Sequence, residues 1–308
     1  MQSFALSNFP LRLIIIDPSP DAIEICKYRW QEVSMNGNDK IDINFQSDYS
    51  GLPEKVSLAI ISTNSSHRYS VMNSVLKKCA CDYIILEKFL FSTEEHYFLA
   101  SSLINTHPAK VYVNCNRRLL ECYKWIHNEL RMEKGLIKMA VSGRNWGMGS
   151  NSIHFIDLFC YLCDDAIKYC DFIFPDSVKI LESKRAGYVE FIGNIFAQSE
   201  KGHELNLECN EGVYNDDIII EIQKGGLHIS IYEIRNSIKV KIAVQQREME
   251  FNLLYQSQLT LGCFEELMST GTSSLTSYME SSVMHIKFLQ AVEKIMMHKC
   301  YTQEWKIT

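Results

Sequence analysis

Residues 1–115 alternate short apolar runs with amphipathic stretches. The runs are nearly continuous in Val, Ile and Leu, which is typical of parallel strands covered on both faces. They predict strands over 11–16, 41–45, 56–61, 83–86 and 110–114. The stretches between them predict helices over 21–33, 67–78 and 93–105. This strand–helix series predicts a doubly wound α/β sheet.

The pattern changes after residue 116. It predicts a helix over 119–130, a strand over 136–141 and an apolar helix over 153–162. Many short β-runs separated by turns follow between 168 and 251. Such a series predicts a second domain built on a largely antiparallel, open sheet.

Two further signals complete the domain organisation. In "EIQKGGLHISIYEI" the pair Gly225-Gly226 can supply the positive φ of a tight hairpin turn. An amphipathic helix is predicted over 275–298. We therefore expect a dinucleotide-binding domain over 1–116 and a substrate-binding α+β domain over 117–308, with helix 275–299 packing back toward the first domain.

Composition narrows the class of protein. The 308 residues are 46% hydrophobic and carry a net charge of −6, which argues against nucleic acid or an anionic membrane as the main partner. No apolar run approaches the roughly 18 residues that span a bilayer, and no signal peptide is recognised. Eleven cysteines without such a signal indicate free thiols in a reducing cytoplasm.

Cys160 and Cys163 raise the question of a metal site. They lie one turn apart on the apolar helix "HFIDLFCYLC", and the chain has no second CxxC motif. Structural zinc sites need a further pair of ligands. We therefore interpret both as buried thiols and expect no metal.

The stretch "IIIDPSP" ends an apolar strand in Asp17. An acidic residue there can accept hydrogen bonds from a ribose diol and repel a 2′-phosphate, which favours NAD over NADP. The alternative is an aspartate that only initiates the turn before Pro18.

The stretch "AIISTNSSHRYSVM" places small polar residues between a strand and a helix. Backbone N–H groups at such a point suit a phosphate or a nicotinamide amide, with Thr63, Asn64 and His67 as candidate cofactor residues. The alternative is simple helix capping by Ser65 or Ser66.

The stretch "CDYIILEKFLFS" puts Glu87 and Lys88 directly after a strongly apolar strand. In an open α/β sheet the carboxyl ends of the strands face the ligand crevice. A lysine there can donate to a substrate hydroxyl or carbonyl and share in proton transfer. The alternative is a surface ion pair where the strand emerges.

The stretch "WGMGSNSIHFIDLFCYL" carries His154 and Asp157 on one helix face. His154 can act as a general base beside Lys88, and Asp157 can orient it or bond to neighbouring backbone. The alternative is a core histidine with a capping aspartate.

Taken in order, the motifs "IIIDPSP", "IISTNSSH", "LEKF", "VNCNRRL" and "GSNSIHFIDL", with the ending "YMESSVMHIKFLQAV…WKIT", resemble the Gfo/Idh/MocA oxidoreductases over essentially the whole chain. The resemblance implies a Rossmann-like domain followed by an α+β domain, and oxidation or reduction of a sugar with NAD or NADP. Lys88 and His154 would be catalytic, and Glu87 would line the cofactor side.

The resemblance also implies the remaining contacts of the site. Asp157 matches the acidic residue that often follows the histidine, and Asn116, Arg117, Asn151 and Asp157 are the expected substrate-binding residues. Asn151, or alternatively Asn145, would substitute for the aspartate that the family has at position 150. The segment around His154 resembles relatives associated with surface-polysaccharide sugars, so a nucleotide-linked or acidic sugar is expected. Relatives commonly pair through the broad sheet, so we expect a homodimer or a dimer of dimers.

The sequence departs from the family pattern at three positions. Ser150 and Ser152 stand where the family's Asp-x-Gly-x-His segment has its aspartate and glycine. Phe89 replaces the proline that usually follows the lysine, so we expect a preferred cis peptide to be lost and the geometry around Lys88 to change. These departures support an alternative, a non-catalytic relative that binds a sugar-like ligand or acts as a subunit partner.

The family's usual opening is a strand and a Gly-x-Gly-x-x-Gly turn that binds pyrophosphate. Here "MQSFALSNF" resembles the second half of the helix that follows that turn, and none of the 14 glycines precedes Gly37. We expect a start codon assigned too late, in preference to a truncated gene or loss of the cofactor.

Overall fold

The computed structural model describes residues 1–34, 40–212, 218–234, 237–242, 247–252, 254 and 256–307. Its α-helices are α1 (Pro20–Ser34), α2 (Arg68–Leu76), α3 (Glu94–Asn105), α4 (Glu121–Met132), α5 (Met148–Cys163), α6 (Gln256–Thr270) and α7 (Tyr278–His298). Short 3-10 helices cover Gln2–Leu6, Asn116–Leu119 and Pro175–Ser177.

The strands alternate with helices in the first part of the chain and follow one another in the second. In the first part they are β1 (Leu11–Ile16), β2 (Ile41–Gln46), β3 (Lys55–Ile61), β4 (Ala80–Leu86) and β5 (Lys110–Val113). The others are β6 (Lys138–Arg144), β7 (Ile167–Ile173), β8 (Lys179–Glu182), β9 (Val189–Ser199), β10 (Glu204–Asn210), β11 (Ile218–Lys224), β12 (Leu227–Ile234), β13 (Ser237–Ile242), β14 (Arg247–Asn252) and β15 (Thr276–Ser277).

All five strands predicted in the first part form, but they belong to two sheets. β3, β4 and β5 pair in parallel, and β15 adds to β5 in the antiparallel sense. β1 and β2 form a separate parallel pair. Among the described strands, β1 pairs with β2 alone and β3 with β4 alone. The Rossmann-like parallel arrangement is therefore present, although not as one continuous sheet.

The second part is dominated by one large sheet in the order β14-β13-β12-β11-β6-β10-β9-β7, with β8 attached to β9. Its pairs are antiparallel except for β6 and β10, which run in parallel. The predicted hairpin at Gly225-Gly226 joins β11 to β12, and Gly225 has the expected positive φ of 57°. The largely antiparallel sheet is thus confirmed.

Helix α7 links the two parts of the molecule. It begins with a capping box, in which Ser277 accepts from the Glu280 backbone N–H while the Glu280 side chain returns to residue 277. Its fully buried Phe288, Leu289 and Val292 belong to the main core. The helix packs on β7 and also contacts α3 and β5. None of the described helices is both long and apolar enough to cross a bilayer.

Helix α6 was not predicted from the sequence. Its Cys263 and Leu267 pack with Ile85, Tyr112 and Leu275 in a small second core. The Phe264 ring of α6 meets Phe4 edge-on, with 5.7 Å between ring centroids. Phe4 belongs to the segment expected to be half an α-helix, which is instead a single 3-10 turn because the chain becomes extended at Ser7, ahead of Pro10.

Candidate active site

The carboxyl ends of β3, β4 and β5 lie at one edge of their sheet. The Glu87 backbone N–H donates to Ile61 O at 3.1 Å, and that of Asn114 donates to Leu86 O at 2.9 Å. These bonds continue the strand pairing by one residue and set the Glu87 and Asn114 side chains next to each other. The Asn114 amide donates to the Glu87 carboxylate at 2.7 Å.

A cleft of about 320 Å³ opens beside this pair. Its polar groups include Ser62, Glu87 and Asn114, and its apolar wall includes Ile60 and Leu275. An apolar cleft with a few convergent polar groups is typical of sites for small organic ligands. A side-chain amide beside a carboxylate offers both a hydrogen-bond donor and an acceptor to a ligand in this cleft.

Lys88 extends from the same edge toward helix α5. Its ammonium donates to the Ser150 carbonyl oxygen at 2.7 Å and lies 3.4 Å from Asn151 Oδ1. Burial lowers the pKa of Lys88 below its ordinary value. The Lys88–Phe89 peptide bond is cis. The expectation that Phe89 would remove the cis bond is therefore wrong.

The first turn of α5 is fixed by polar contacts on both sides. Gly147, with a φ of 74°, precedes the helix in the left-handed region. The Asn151 amide donates to Trp146 O at 2.7 Å. The Glu190 carboxylate on β9 accepts from the Gly149 N–H at 2.6 Å and from the Ser150 N–H at 3.3 Å. The carbonyl that receives Lys88 thus belongs to a rigid turn.

His154 lies one turn further along α5 and is partly buried. Its Nδ1 is buried and has no hydrogen-bond partner among the described residues. Burial lowers the pKa of His154 well below its ordinary value, and the positive charges of Lys88 and Arg117 act in the same direction. The imidazole is therefore neutral near pH 7.

Asp157 is committed to an internal ion pair. Both carboxylate oxygens accept from Arg118, at 2.7 and 2.8 Å, and the aspartate has no exposed surface. Burial raises the pKa of Asp157 to about 6, although Arg118 opposes the shift. Contact between Asp157 and a ligand would require this pair to open, so the aspartate holds α5 against the segment after β5.

Arg117 also forms an ion pair, with Glu233. It lies in a 3-10 helix whose first residue is Asn116. The guanidinium donates to both oxygens of Glu233 on β12, at 3.0 and 2.7 Å, and lies 4.2 Å from the centroid of the Phe155 ring. Tyr123 donates to the same carboxylate at 2.5 Å. Burial lowers the pKa of Arg117, but Glu233 more than offsets this and raises it above the ordinary value.

The other predicted cofactor residues make local contacts. Asp17 accepts from the Ser19 N–H at 2.9 Å, which is the turn geometry that the sequence left open. The Asn64 side-chain oxygen lies 2.7 Å from His67 Nδ1 and accepts from the His67 N–H at 3.2 Å. Thr63 Oγ1 is buried and has no partner among the described residues. The structure thus joins Lys88 to Asn151 and Asn64 to His67, while no described contact joins Asp17 to them.

Three residues near Lys88 were missed by sequence reasoning. Buried Arg68 donates to the backbone carbonyls of Thr63, Phe89 and Leu90, and burial lowers its pKa to about 10. Fully buried His285 lies against Phe89, with 4.7 Å between ring centroids. Glu190 is the third. His285 could have been found from the sequence, because it is a polar residue on the apolar face of a predicted helix. Glu190 has no such local signal.

The cysteines form no metal centre in the described part of the chain. No three His, Cys, Asp or Glu side chains come together there as metal ligands. Cys160 and Cys163 are free and buried, and burial raises the pKa of both thiols. Their environment is that of core residues.

Comparisons by sequence give no relatives. Neither the protein-family models nor the curated proteins contain a match to this chain. The structural comparison, in contrast, finds similar folds over almost the whole chain.

An oxidoreductase from Agrobacterium radiobacter, solved with NAD⁺, L-tartaric acid and magnesium, superposes with a TM-score of 0.69 at 12% identity. The match covers 96% of this chain and 92% of that one. The UDP-N-acetylglucosamine 3-dehydrogenase GnnA from Acidithiobacillus ferrooxidans gives a TM-score of 0.65 at 11% identity, covering 91% and 96%.

A regulator also shares the architecture. A super-repressor mutant of Gal80p from Saccharomyces cerevisiae gives a TM-score of 0.64 at 9% identity, covering 93% of this chain and 88% of that one. At such identities the likeness concerns the fold. The chain has the fold of the Gfo/Idh/MocA-type oxidoreductases, as the resemblance of its motifs implied.

Proposed function

We propose that the chain is an oxidoreductase that transfers hydride between a nicotinamide dinucleotide and a hydroxyl-bearing carbon of a sugar or nucleotide sugar. One observation carries the proposal. Lys88 stands at the carboxyl end of a parallel strand with its ammonium turned to the helix that bears a neutral His154. This brings a charged hydrogen-bond donor and a neutral imidazole to the edge of the sheet where such folds bind ligands.

The two residues divide the proton chemistry. In the oxidation direction, Lys88 donates a hydrogen bond to the reacting hydroxyl oxygen, and the neutral His154 ring takes the hydroxyl proton. In the reduction direction, Lys88 polarises the carbonyl oxygen and the proton returns to that oxygen from protonated His154. A nicotinamide dinucleotide, when bound, accepts or supplies the hydride.

The proposed cofactor contacts come from the same edge of the sheet. We assign Glu87 to the nicotinamide side, and Thr63, Asn64 and His67 to phosphate or amide groups. Asp17 is assigned to the ribose diol, with NAD preferred over NADP because a carboxylate repels a 2′-phosphate. The described residues include no glycine-rich turn at this edge, so we assign no pyrophosphate cradle.

The substrate assignment rests on the site and on one structural neighbour. Asn116 and Asn151 are proposed to contact the sugar. Arg117, held by both oxygens of Glu233, and Asp157, held by Arg118, are assigned structural roles. The name of GnnA specifies a UDP-linked amino sugar. We extend this class to the present chain and place it in surface-polysaccharide synthesis.

Turnover with nucleotide sugars tests the proposal. The full chain would be incubated with NAD⁺ and a panel of UDP-linked sugars, and NADH formation followed by absorbance. We expect turnover with at least one sugar, its loss in Lys88→Met, and its retention in Lys77→Met, a control at an exposed lysine. NADH formation that survives Lys88→Met would contradict the assignment.

A second candidate is a binding protein without turnover. Ser150 stands where the resemblance calls for an aspartate, and Gal80p, named as a transcriptional regulator in one neighbour, shares the fold. Binding of NADH or a nucleotide sugar without any hydride transfer would favour this reading. We further propose a cytoplasmic homodimer, for which light scattering should give twice the chain mass of 35.6 kDa.

A further inference from the structure

Glu190 makes a polar contact between the large sheet and the Lys88 site. It is the second residue of β9, and its side chain is partly buried. One carboxylate oxygen accepts from two successive backbone N–H groups of α5, those of Gly149 and Ser150. A carboxylate at this position satisfies helix N–H groups that have no partner within the helix.

The close approach of β9 depends on a glycine. A Cβ atom built on Gly149 would lie 2.9 Å from the Glu190 carboxylate and 2.9 Å from the Val189 carbonyl oxygen. Real Cβ atoms essentially never come that near to other heavy atoms. Any other residue at 149 would therefore push α5 away from β9.

Ser150 connects Glu190 to Lys88. Its N–H donates to Glu190, and its carbonyl oxygen accepts from the Lys88 ammonium. Glu190 therefore holds the peptide that holds Lys88. Burial lowers the pKa of Lys88, Cys115 and Glu87 oppose this, Arg117 adds to it, and the Glu190 charge makes a smaller contribution that raises the pKa. Since residue 150 is a serine, it brings no charge of its own to this turn.

We propose that Glu190 is the positioning carboxylate of this site: it fixes the first turn of α5 and, through Ser150, the carbonyl oxygen that holds the Lys88 ammonium. The importance of this role for catalysis rests on the proposed function of Lys88. The effect of Glu190 on the Lys88 ammonium does not depend on that function. Glu190 acts through Lys88 and Ser150 and is not assigned a contact with substrate.

The coupling can be measured without substrate or cofactor. Trace acetylation of the folded chain at a series of pH values, with mass spectrometry of the Lys88 peptide, reports how the reactivity of that amine depends on pH. We expect Glu190→Gln to lower the apparent pKa of Lys88, because a nearby opposite charge is lost and the turn that holds the ammonium is loosened. Glu182→Gln, at an exposed glutamate on β8, should leave it unchanged.

Two further variants separate charge from packing. Glu190→Asp keeps the charge on a shorter stem, so its effect should be smaller than that of Glu190→Gln. Gly149→Ala should displace Glu190 and lower the apparent pKa of Lys88 in the same direction. Gly262→Ala, at a helical glycine of α6 whose Cβ would meet nothing within 4 Å, is the matched control.

The outcomes are distinct. An unchanged Lys88 profile in folded Glu190→Gln overturns the role of Glu190, whatever the wild type does with NAD⁺. If Glu190→Gln does not fold, an unchanged profile in folded Gly149→Ala overturns it equally. If Glu190→Gln shifts the Lys88 profile but the wild-type protein never forms NADH, the positioning role of Glu190 is supported and only the proposed function is contradicted.

Discussion

The Lys88 ammonium donates a 2.7 Å hydrogen bond to the carbonyl oxygen of Ser150, 62 residues further along the chain. The bond joins the end of β4 to the first turn of α5, so the two parts of the molecule meet at the proposed reacting group. It also occupies Lys88 while no substrate is present, because a buried ammonium without a hydrogen-bond acceptor would be costly.

Replacement of Lys88 should affect turnover more than cofactor binding. Lys88→Met removes the hydrogen-bond donor that polarises the reacting oxygen, and we expect kcat to fall about 10²- to 10³-fold, the usual cost of losing one such donor. Lys88→Arg should rescue little, because the planar guanidinium does not reproduce the compact ammonium. Steady-state kinetics with calorimetric NADH binding would check this, and a large loss of NADH affinity in Lys88→Met would assign the residue to the cofactor instead.

The pH dependence of the rate should report Lys88. Burial lowers its pKa from the ordinary 10.5, so the ammonium is lost at a lower pH than in an exposed lysine. Oxidation of the hydroxyl needs neutral His154 and charged Lys88, so its rate should fall as pH rises through this lowered pKa, and Lys88→Arg should move that limb upward. Profiles of kcat/KM in both directions measure it, and a basic limb unmoved in Lys88→Arg would assign it to another group.

Asp157→Asn should act on stability. It leaves the Arg118 guanidinium buried without its carboxylate, at a cost of about 3–5 kcal/mol in the free energy of unfolding. Asp164, 45% exposed and paired with Arg131, is the control, and Asp164→Asn should cost about 1 kcal/mol or less. Urea titration gives both values. A folded, equally stable Asp157→Asn with a raised KM would instead support a substrate contact.

His285 should make the fold sensitive to acid. Its Nδ1 lies 2.8 Å from the Ser281 carbonyl oxygen and donates to it, Nε2 is buried without a partner among the described residues, and burial lowers the pKa of His285 to about 3. Between that value and the ordinary 6.5, the unfolded chain binds a proton that the folded chain does not. Stability therefore falls with falling pH, by about 2 kcal/mol between pH 6.5 and 4.5.

Replacement tests the origin of that loss. His285→Phe keeps a ring in the core and removes the titrating nitrogen, so its free energy of unfolding should decline less between pH 6.5 and 4.5. His298→Asn, at an exposed histidine paired with Asp176, should keep the wild-type slope. Equal slopes in His285→Phe and wild type would place the acid sensitivity elsewhere.

The sequence predicted those features that depend on local periodicity. The strands of the first part and helix α5 follow from apolar runs bounded by turn residues, and Lys88 follows from its place at a strand end. Helix α6 was missed because polar residues and Gly262 interrupt its apolar pattern. The prediction of one parallel sheet was incomplete, because strand pairing depends on neighbours in space that no local pattern specifies.

The contacts that assemble the site could not be predicted in the same way. The bond from Glu190 to α5 joins residues 41 positions apart, and that from Arg117 to Glu233 joins residues 116 apart. Which residues meet in these two contacts depends on how the large sheet packs against the helices. The role of Asp157 could not be predicted either. Its position on the helix is compatible with a ligand contact, and only the structure shows that it forms a buried ion pair with Arg118.

Calorimetric titration of the full chain with NADH and with NADPH tests the central claim most directly. The account predicts saturable binding of NADH in the micromolar range, weaker binding of NADPH, and an NADH affinity that Lys88→Met leaves largely intact. A folded chain that binds neither dinucleotide at millimolar concentration would contradict it.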